Sequence, residues 1–148
     1  MTGAHNRVMV LHGVNLNMLG SRPAEHYGRF TIEELELKIK RFADELGLEA
    51  AFFHSNHEGE YIEMIHRLPE TADGAIVNPG SWTHYSYAIR DALELAGIPA
   101  VEVHISDVHS REAWRRVSVI EDVVVGQVSG KGSDGYREAL VMLREHLG

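Results

Sequence analysis

Ala100-Val101-Glu102-Val103-His104-Ile105-Ser106 has the apolar, β-branched content of a buried strand, broken at alternate positions by Glu102 and His104. Strand side chains alternate with period two, so these two polar groups share one face while Val101, Val103 and Ile105 share the other. Strands of a parallel sheet covered on both sides usually read as unbroken apolar runs. A carboxylate and an imidazole are costly to bury there unless they pair with each other or with a neighbour. Two readings fit this stretch. It holds either a pair that sets the protonation of a catalytic histidine, or a satisfied polar pair that serves packing or wets an edge strand.

Outward from it, short apolar runs alternate with helical periods. Residues 7–11 read as a first strand, after which Gly13, Asn15, Gly20, Pro23 and Gly28 punctuate a long loop. Thr31 and Glu34 form a capping box, with Ile32, Leu35, Ile39, Phe42 and Leu46 at helical spacing before Gly47. Residues 49–54 make a second strand. Ser55 and Glu58 read as another capping box, opening a helix that carries Ile62, Ile65 and Leu68 and ends at Pro69. Residues 74–78 form a third strand, and a helix over 86–96 stops at Gly97. After the opening strand come a polar loop with Arg111, Arg115 and Arg116, a fifth strand over 123–128, a glycine-rich turn over 130–135 and a last helix.

Strict alternation of strand and helix implies a parallel sheet with right-handed crossovers. The 148 residues are expected to form one domain, 1–148, of the α/β class. Its architecture is expected to be a flavodoxin-like, doubly wound five-stranded parallel sheet of order 2-1-3-4-5. Ligands in such sheets bind beyond the carboxyl ends of the strands, which points to the loops 13–28, 78–84 and 105–115.

The net charge of −8 argues against nucleic-acid or anionic-membrane partners, though local arginines still permit an anionic small substrate. The absence of cysteine excludes disulfides and thiolate metal sites. No apolar run approaches the ~20 residues of a spanning helix. Residues 1–7 lack the apolar core of a signal peptide, so a cytoplasmic location is expected. The ten histidines have no metal-binding spacing, and neither a metal nor another cofactor is expected. The turn over 130–135 lacks the Gly-Lys-Ser/Thr ending of a phosphate loop and the context of a dinucleotide site.

The first loop carries Asn15, Arg22 and Tyr27, and its length is that of a lid. An unperturbed tyrosine titrates near ~10, and a fixed positive charge beside it favours the phenolate, a usable general base. Taken alone, a surface aromatic and a solvated arginine explain the same residues. Asn78 and His84 suit a polyhydroxylated ligand, and Gly80 permits close backbone approach. The backbone N–H groups of Ile105 and Ser106 suit a carboxylate; Arg111 and Arg115, whose four-residue spacing allows a shared helical face, suit anionic or hydroxylated ligands, and solvated surface charge explains them equally when taken alone.

In order along the chain stand Gly13-x-Asn15-Leu16-Asn17-x-Leu19-Gly20 running to Tyr27-Gly28, then Ser55-Asn56-His57-Glu58-Gly59. Asn78-Pro79-Gly80 follows, leading through His84-x-Ser86-x-Ala88 to Arg90-Asp91-Ala92. Glu102-Val103-His104-Ile105-Ser106 comes next with His109-x-Arg111-Glu112, and Gly126-x-x-x-Gly130-x-Gly132-x-x-Gly135-Tyr136 completes the set. This ordered set resembles the type II 3-dehydroquinate dehydratases over nearly the whole chain.

The resemblance implies a cofactor-free dehydration of 3-dehydroquinate to 3-dehydroshikimate in the shikimate route. It assigns Tyr27 as general base, Arg22 as the group favouring its ionised form, and Asn15 as the support of an enolate. His104 is the general acid, oriented by Glu102. Substrate contacts fall on Asn78, Gly80, His84, Ile105, Ser106 and Arg115, with Arg111 in support. Asp91 matches an aspartate given to a neighbouring subunit, and the implied assembly is a dodecamer of trimers.

Three positions depart from the family pattern. His12 and Val14 stand in a loop that usually reads Asn-Gly-Pro-Asn, and Asp107 stands where asparagine is common. Loss of the proline is expected to loosen the turn presenting Asn15, with His12 a titratable group beside the site. Asp107 is expected to bring negative charge near the carboxylate-binding amides. Two alternatives therefore stay open: the same elimination on a related cyclic polyol acid, or a catalytically silent flavodoxin-like binding module.

Overall fold

A computed structural model describes residues 5–148; residues 1–4, part of the stretch read for a leader, lie outside the described residues. Five parallel strands form one sheet in the order β2-β1-β3-β4-β5. They are β1 (Arg7–His12), β2 (Glu49–His54), β3 (Gly74–Asn78), β4 (Ala100–His104) and β5 (Gly126–Ser129). The helices are α1 (Ala24–Tyr27), α2 (Ile32–Glu45), α3 (Glu58–His66), α4 (Leu68–Thr71), α5 (Tyr87–Ala96) and α6 (Asp134–Leu147). Among the described residues no helix is long and apolar enough to cross a membrane.

The period-two alternation divides the core between the two faces of the sheet. Val8, Val10, Ile76, Val101, Val103 and Val128 pack with Leu35 and Ile39 of α2 and Leu140 and Leu143 of α6. Leu11, Ala75, Val77 and Ala100 pack on the other face with Tyr61 and Ile65 of α3 and Ile89 and Leu93 of α5. Both faces are covered, and every residue of β3 and β4 is buried. The polar pair of β4 therefore sits in the interior, on the α3/α5 side.

Local sequence explains most boundaries. Thr31 and Glu34 make the reciprocal capping box that starts α2, and Ser86 caps α5 by accepting from Ile89 N–H. Three boundaries differ from the sequence reading. Ser55 does not pair with Glu58: it accepts from His57 N–H and donates to Glu60, while Glu58 accepts from the Ser86 hydroxyl and ties α3 to the start of α5. Pro69 does not end a helix; α3 stops at His66, and the proline lies in the first turn of α4, where its missing N–H is harmless. The fifth strand starts at Gly126 rather than at residue 123. Val123 and Val124 instead pack into the α3/α5 core from a turn that Arg90 of α5 pins through Asp122.

The carboxyl ends of β1 and β3 meet at the switch point, where Gly13 N–H donates to Asn78 C=O at 2.8 Å. A Cβ at Gly13 would lie 2.5 Å from the Pro79 carbonyl atoms. Gly80, at φ 66°, presses equally close to the Val14 carbonyl. Gly13→Ala is expected to destabilise the protein by about 1–3 kcal/mol, the usual range for forced overpacking. A denaturant midpoint equal to that of the unsubstituted protein would contradict this close approach.

Candidate active site

The loop after β1 folds onto the ends of the strands, burying Leu16, Leu19 and Tyr27 against the α2/α6 core. Asn15 takes a left-handed conformation, and its N–H is held at 2.8 Å by the side chain of Asn56, which also reaches Asn17. Asn56, from the turn after β2, bonds the turn that loss of the proline is expected to loosen.

Under this loop lies a cavity of about 190 Å³, below the range typical of drug-sized ligands and suited to one small ring. Asn15, Arg22 and Tyr27 enter it from the first loop, Asn78, Gly80 and His84 from the third, and His104, Ile105, Ser106 and Arg115 from the fourth. Val14, Ser81 and Trp114 complete much of the wall. No carboxylate lines it among the described residues, so an acidic chain encloses a cavity bordered by two arginines.

Glu102 is fully buried behind His104, and its Oε2 lies 2.6 Å from His104 Nε2. Burial alone would raise its carboxyl pKa. The hydrogen bonds and charge of His104, with hydrogen bonds from Thr83 and Ser118, outweigh that and hold it below the usual carboxylate range. Because a carboxylate only accepts, the proton in this bond belongs to Nε2 of the imidazole. Nδ1 is left as the ring nitrogen available to a ligand.

The ring of His84 lies 6.5 Å from that of His104, and its Nδ1 is 2.6 Å from Val117 C=O. Burial lowers the His84 pKa, the Val117 carbonyl raises it, and His104 and Arg115 lower it further. His84 is therefore neutral near pH 7, protonated on Nδ1, with Nε2 an acceptor. Asn78 donates to Tyr136, whose phenol burial pushes up to about 12, and accepts from Gly80 N–H.

Two guanidinium groups contact Tyr27, and they act differently. Arg22 lies over the ring, 3.8 Å from its centroid. Arg111, although absent from the cavity wall, donates from Nη1 to the Tyr27 hydroxyl at 2.7 Å and to Ser106 Oγ at 3.1 Å. The sequence pointed to Arg22 as the partner of the phenol, and Arg22 lies against it; Arg111 joins it there by donating to the phenol oxygen. Arg111 and Arg115 do not share a helix, since Arg111 follows one short turn and Arg115 lies in the next.

Other expected positions fall elsewhere. Asp91 is exposed on α5 and is not part of the cavity. His12 is fully buried but turns away from the site, stacking on Phe52 with Nε2 3.1 Å from Glu36 of α2. Asp107 accepts from His109 N–H and borders a separate hollow that shares Ile105 and Ser106 with the cavity. Thr83, Ser118 and Gln127, all bonded to Glu102, were not singled out from the sequence.

Residues 6–144 match the model of the family described as dehydroquinase class II. The chain belongs to this family. It is 51% identical over 139 residues to the 3-dehydroquinate dehydratase of Thermotoga neapolitana, covering 94% of each chain. The type II dehydroquinase of Butyrivibrio crossotus superposes with a TM-score of 0.91 at 43% identity, over 95% of this chain and 99% of the other. That of Propionibacterium acnes gives 0.89 at 34% identity, over 97% and 99%. Membership makes the chain a hydro-lyase enzyme.

The lowered Glu102 pKa has a consequence for stability. A group whose pKa is depressed on folding stabilises the native state above its unfolded value, and that contribution is lost as pH falls through the folded value. Glu102→Gln is expected to cost about 1.5–3 kcal/mol at pH 7, the range for hydrogen bonds to a charged group. Its stability should also fall less steeply than that of the unsubstituted protein below pH ~4.3, the ordinary glutamate value. Parallel acid-denaturation curves for the two proteins would contradict the assignment.

Proposed function

We propose that the protein dehydrates 3-dehydroquinate to 3-dehydroshikimate, a step toward aromatic amino acids, without a metal or organic cofactor. One observation carries this reading: Tyr27 and His104, two groups that can move protons, line one small cavity bordered by arginines and, among the described residues, free of carboxylates. Tyr27 removes the proton on the carbon next to the ketone, and the C–H electron pair forms an enolate. Arg111 and Arg22 place positive charge on two sides of this base. Asn15 steadies the enolate oxygen, through water. His104, as imidazolium, then delivers its Nδ1 proton to the departing hydroxyl; the C–O bond breaks, water leaves and the ketone re-forms. Glu102 orients the acid. Arg115 and the amides of Ile105 and Ser106 bind the substrate carboxylate, Asn78 and His84 its hydroxyls, and Gly80 lets backbone approach.

The working unit is a dodecamer of trimers in which Asp91 serves a neighbouring cavity. Tyr87, Asp91 and Leu95 stand four residues apart on α5, with Tyr87 67% and Leu95 78% exposed, so an uncovered apolar stripe carries the carboxylate. One domain and a cytoplasmic location complete the reading.

Formation of the conjugated enone, followed by ultraviolet absorbance, tests the activity. The unsubstituted protein is expected to turn over dehydroquinate in preference to related cyclic polyol acids. Tyr27→Phe and His104→Ala should each lower kcat by about 10²-fold or more. Normal turnover in either folded variant would refute the roles, and faster turnover of an analogue would move the substrate assignment. A folded, inactive unsubstituted protein would favour a binding module. Sedimentation equilibrium should return the dodecamer; a fully active monomer would contradict the assembly.

A further inference from the structure

Four side chains from four separate segments converge on the Glu102 carboxylate. Oε1 accepts from Ser118 Oγ at 2.8 Å and Gln127 Nε2 at 3.0 Å, while Oε2 faces His104 Nε2 at 2.6 Å and also accepts from Thr83 Oγ1. A carboxylate offers about four acceptor positions, so this one is saturated. A proton placed on Glu102 would point an O–H at a donor already there. We propose that Ser118 and Gln127 are positioning residues that lock the Glu102 carboxylate and thereby fix the tautomer and aim of His104. Neither touches the cavity wall, and both act through Glu102.

The fold holds each of them in place. Gln127 stands directly opposite Glu102 in the β4–β5 register. Its amide has both donor and acceptor ends, and an anion selects the NH₂ end. Ser118 belongs to a strap between the last site loop and β5. Its neighbour Val119 donates its N–H to Thr83 C=O at 2.8 Å and accepts from Arg90 Nη1 at 2.9 Å. Arg90 also grips Asp122 of the strap with Nη2 at 2.9 Å, and Ile120 is fully buried beneath it. Val117 C=O holds His84 at the near end. The strap thus delivers one hydroxyl to Glu102 and one carbonyl to His84, setting the protonated nitrogen of both cavity histidines.

With the lock intact, Nε2 of His104 must carry a proton and Nδ1 alone can exchange one with a ligand. With the lock weakened, Glu102 can rotate or take up the proton itself, and the imidazole is free to adopt the other tautomer. That outcome lowers the chemical step without removing any contact to substrate.

The test uses Ser118→Ala, Gln127→Leu and the double variant, with Ser118→Thr as the variant that keeps the hydroxyl. Nitrogen-15 NMR of labelled histidine, without substrate, reads the protonated nitrogen of His104. It is expected to report Nε2–H in the unsubstituted protein and in Ser118→Thr, and a mixture with Nδ1–H in the other three. In the dehydratase assay kcat should fall roughly tenfold or more, part of the usual acid–base contribution, with KM within about threefold. Unchanged nitrogen shifts and kcat in the folded double variant would overturn the proposal, as would loss of KM alone. Should the double variant not fold, Ser118→Ala decides by the same readouts. The kinetic arm rests on the dehydratase reading and the NMR arm does not. An unsubstituted protein inactive on dehydroquinate would therefore refute that reading while the nitrogen shifts still decide this one.

Discussion

A fully buried carboxylate on a central strand is the constraint around which the molecule is arranged. An unpaired ion in such a place is strongly destabilising, and pairing recovers the loss only when the remaining acceptor positions are also filled. Glu102 meets that condition with donors from β4, β5, the turn before α5 and the strap at 117–122. Each donor fixes the segment that brings it. The requirements of one charge thus couple a strand register, a helix approach and an otherwise irregular loop, and their common product is an imidazole held in one orientation at the edge of a cavity.

The second organising feature is the separation of charge. The chain carries a net charge of −8, yet the cavity wall includes Arg22 and Arg115, with Arg111 behind it, and no carboxylate among the described residues. Glu112, which pairs with Arg115, lies outside the wall. Fixed cations in a small, partly enclosed space favour an anionic ligand and stabilise negative charge that develops during proton removal. Arg111 also joins the first loop to the fourth through Tyr27 and Ser106.

The sheet order was legible because apolar runs and capping residues alternate cleanly, and because Glu102 and His104 interrupt a run that should otherwise be apolar. Boundaries were less legible where a distant side chain wins a local partner. Glu58 has the spacing to cap with Ser55, but Ser86 claims it from another helix. Val123 and Val124 have the content of a strand, but the Arg90 anchor and the α3/α5 core hold them in a turn. In the site, residues that touch the cavity carried recognisable motifs. Residues acting through Glu102 did not: a serine in a polar loop and a glutamine on an edge strand have no pattern of their own. Arg111 was seen, but that it joins Arg22 at the phenol depends on a tertiary approach across 84 residues of sequence separation. His12 shows the converse, since a titratable residue close to the site in sequence turns to the other side of the fold.

The two halves of the proposed elimination can be separated by solvent-deuterium exchange at the carbon next to the ketone of dehydroquinate. His104→Ala in deuterium oxide should still label that position while forming little enone, because its base is intact, and Tyr27→Phe should do neither. Exchange that persists in Tyr27→Phe, or disappears in folded His104→Ala, would contradict an account in which the phenol takes the proton and the imidazole gives one to the leaving hydroxyl.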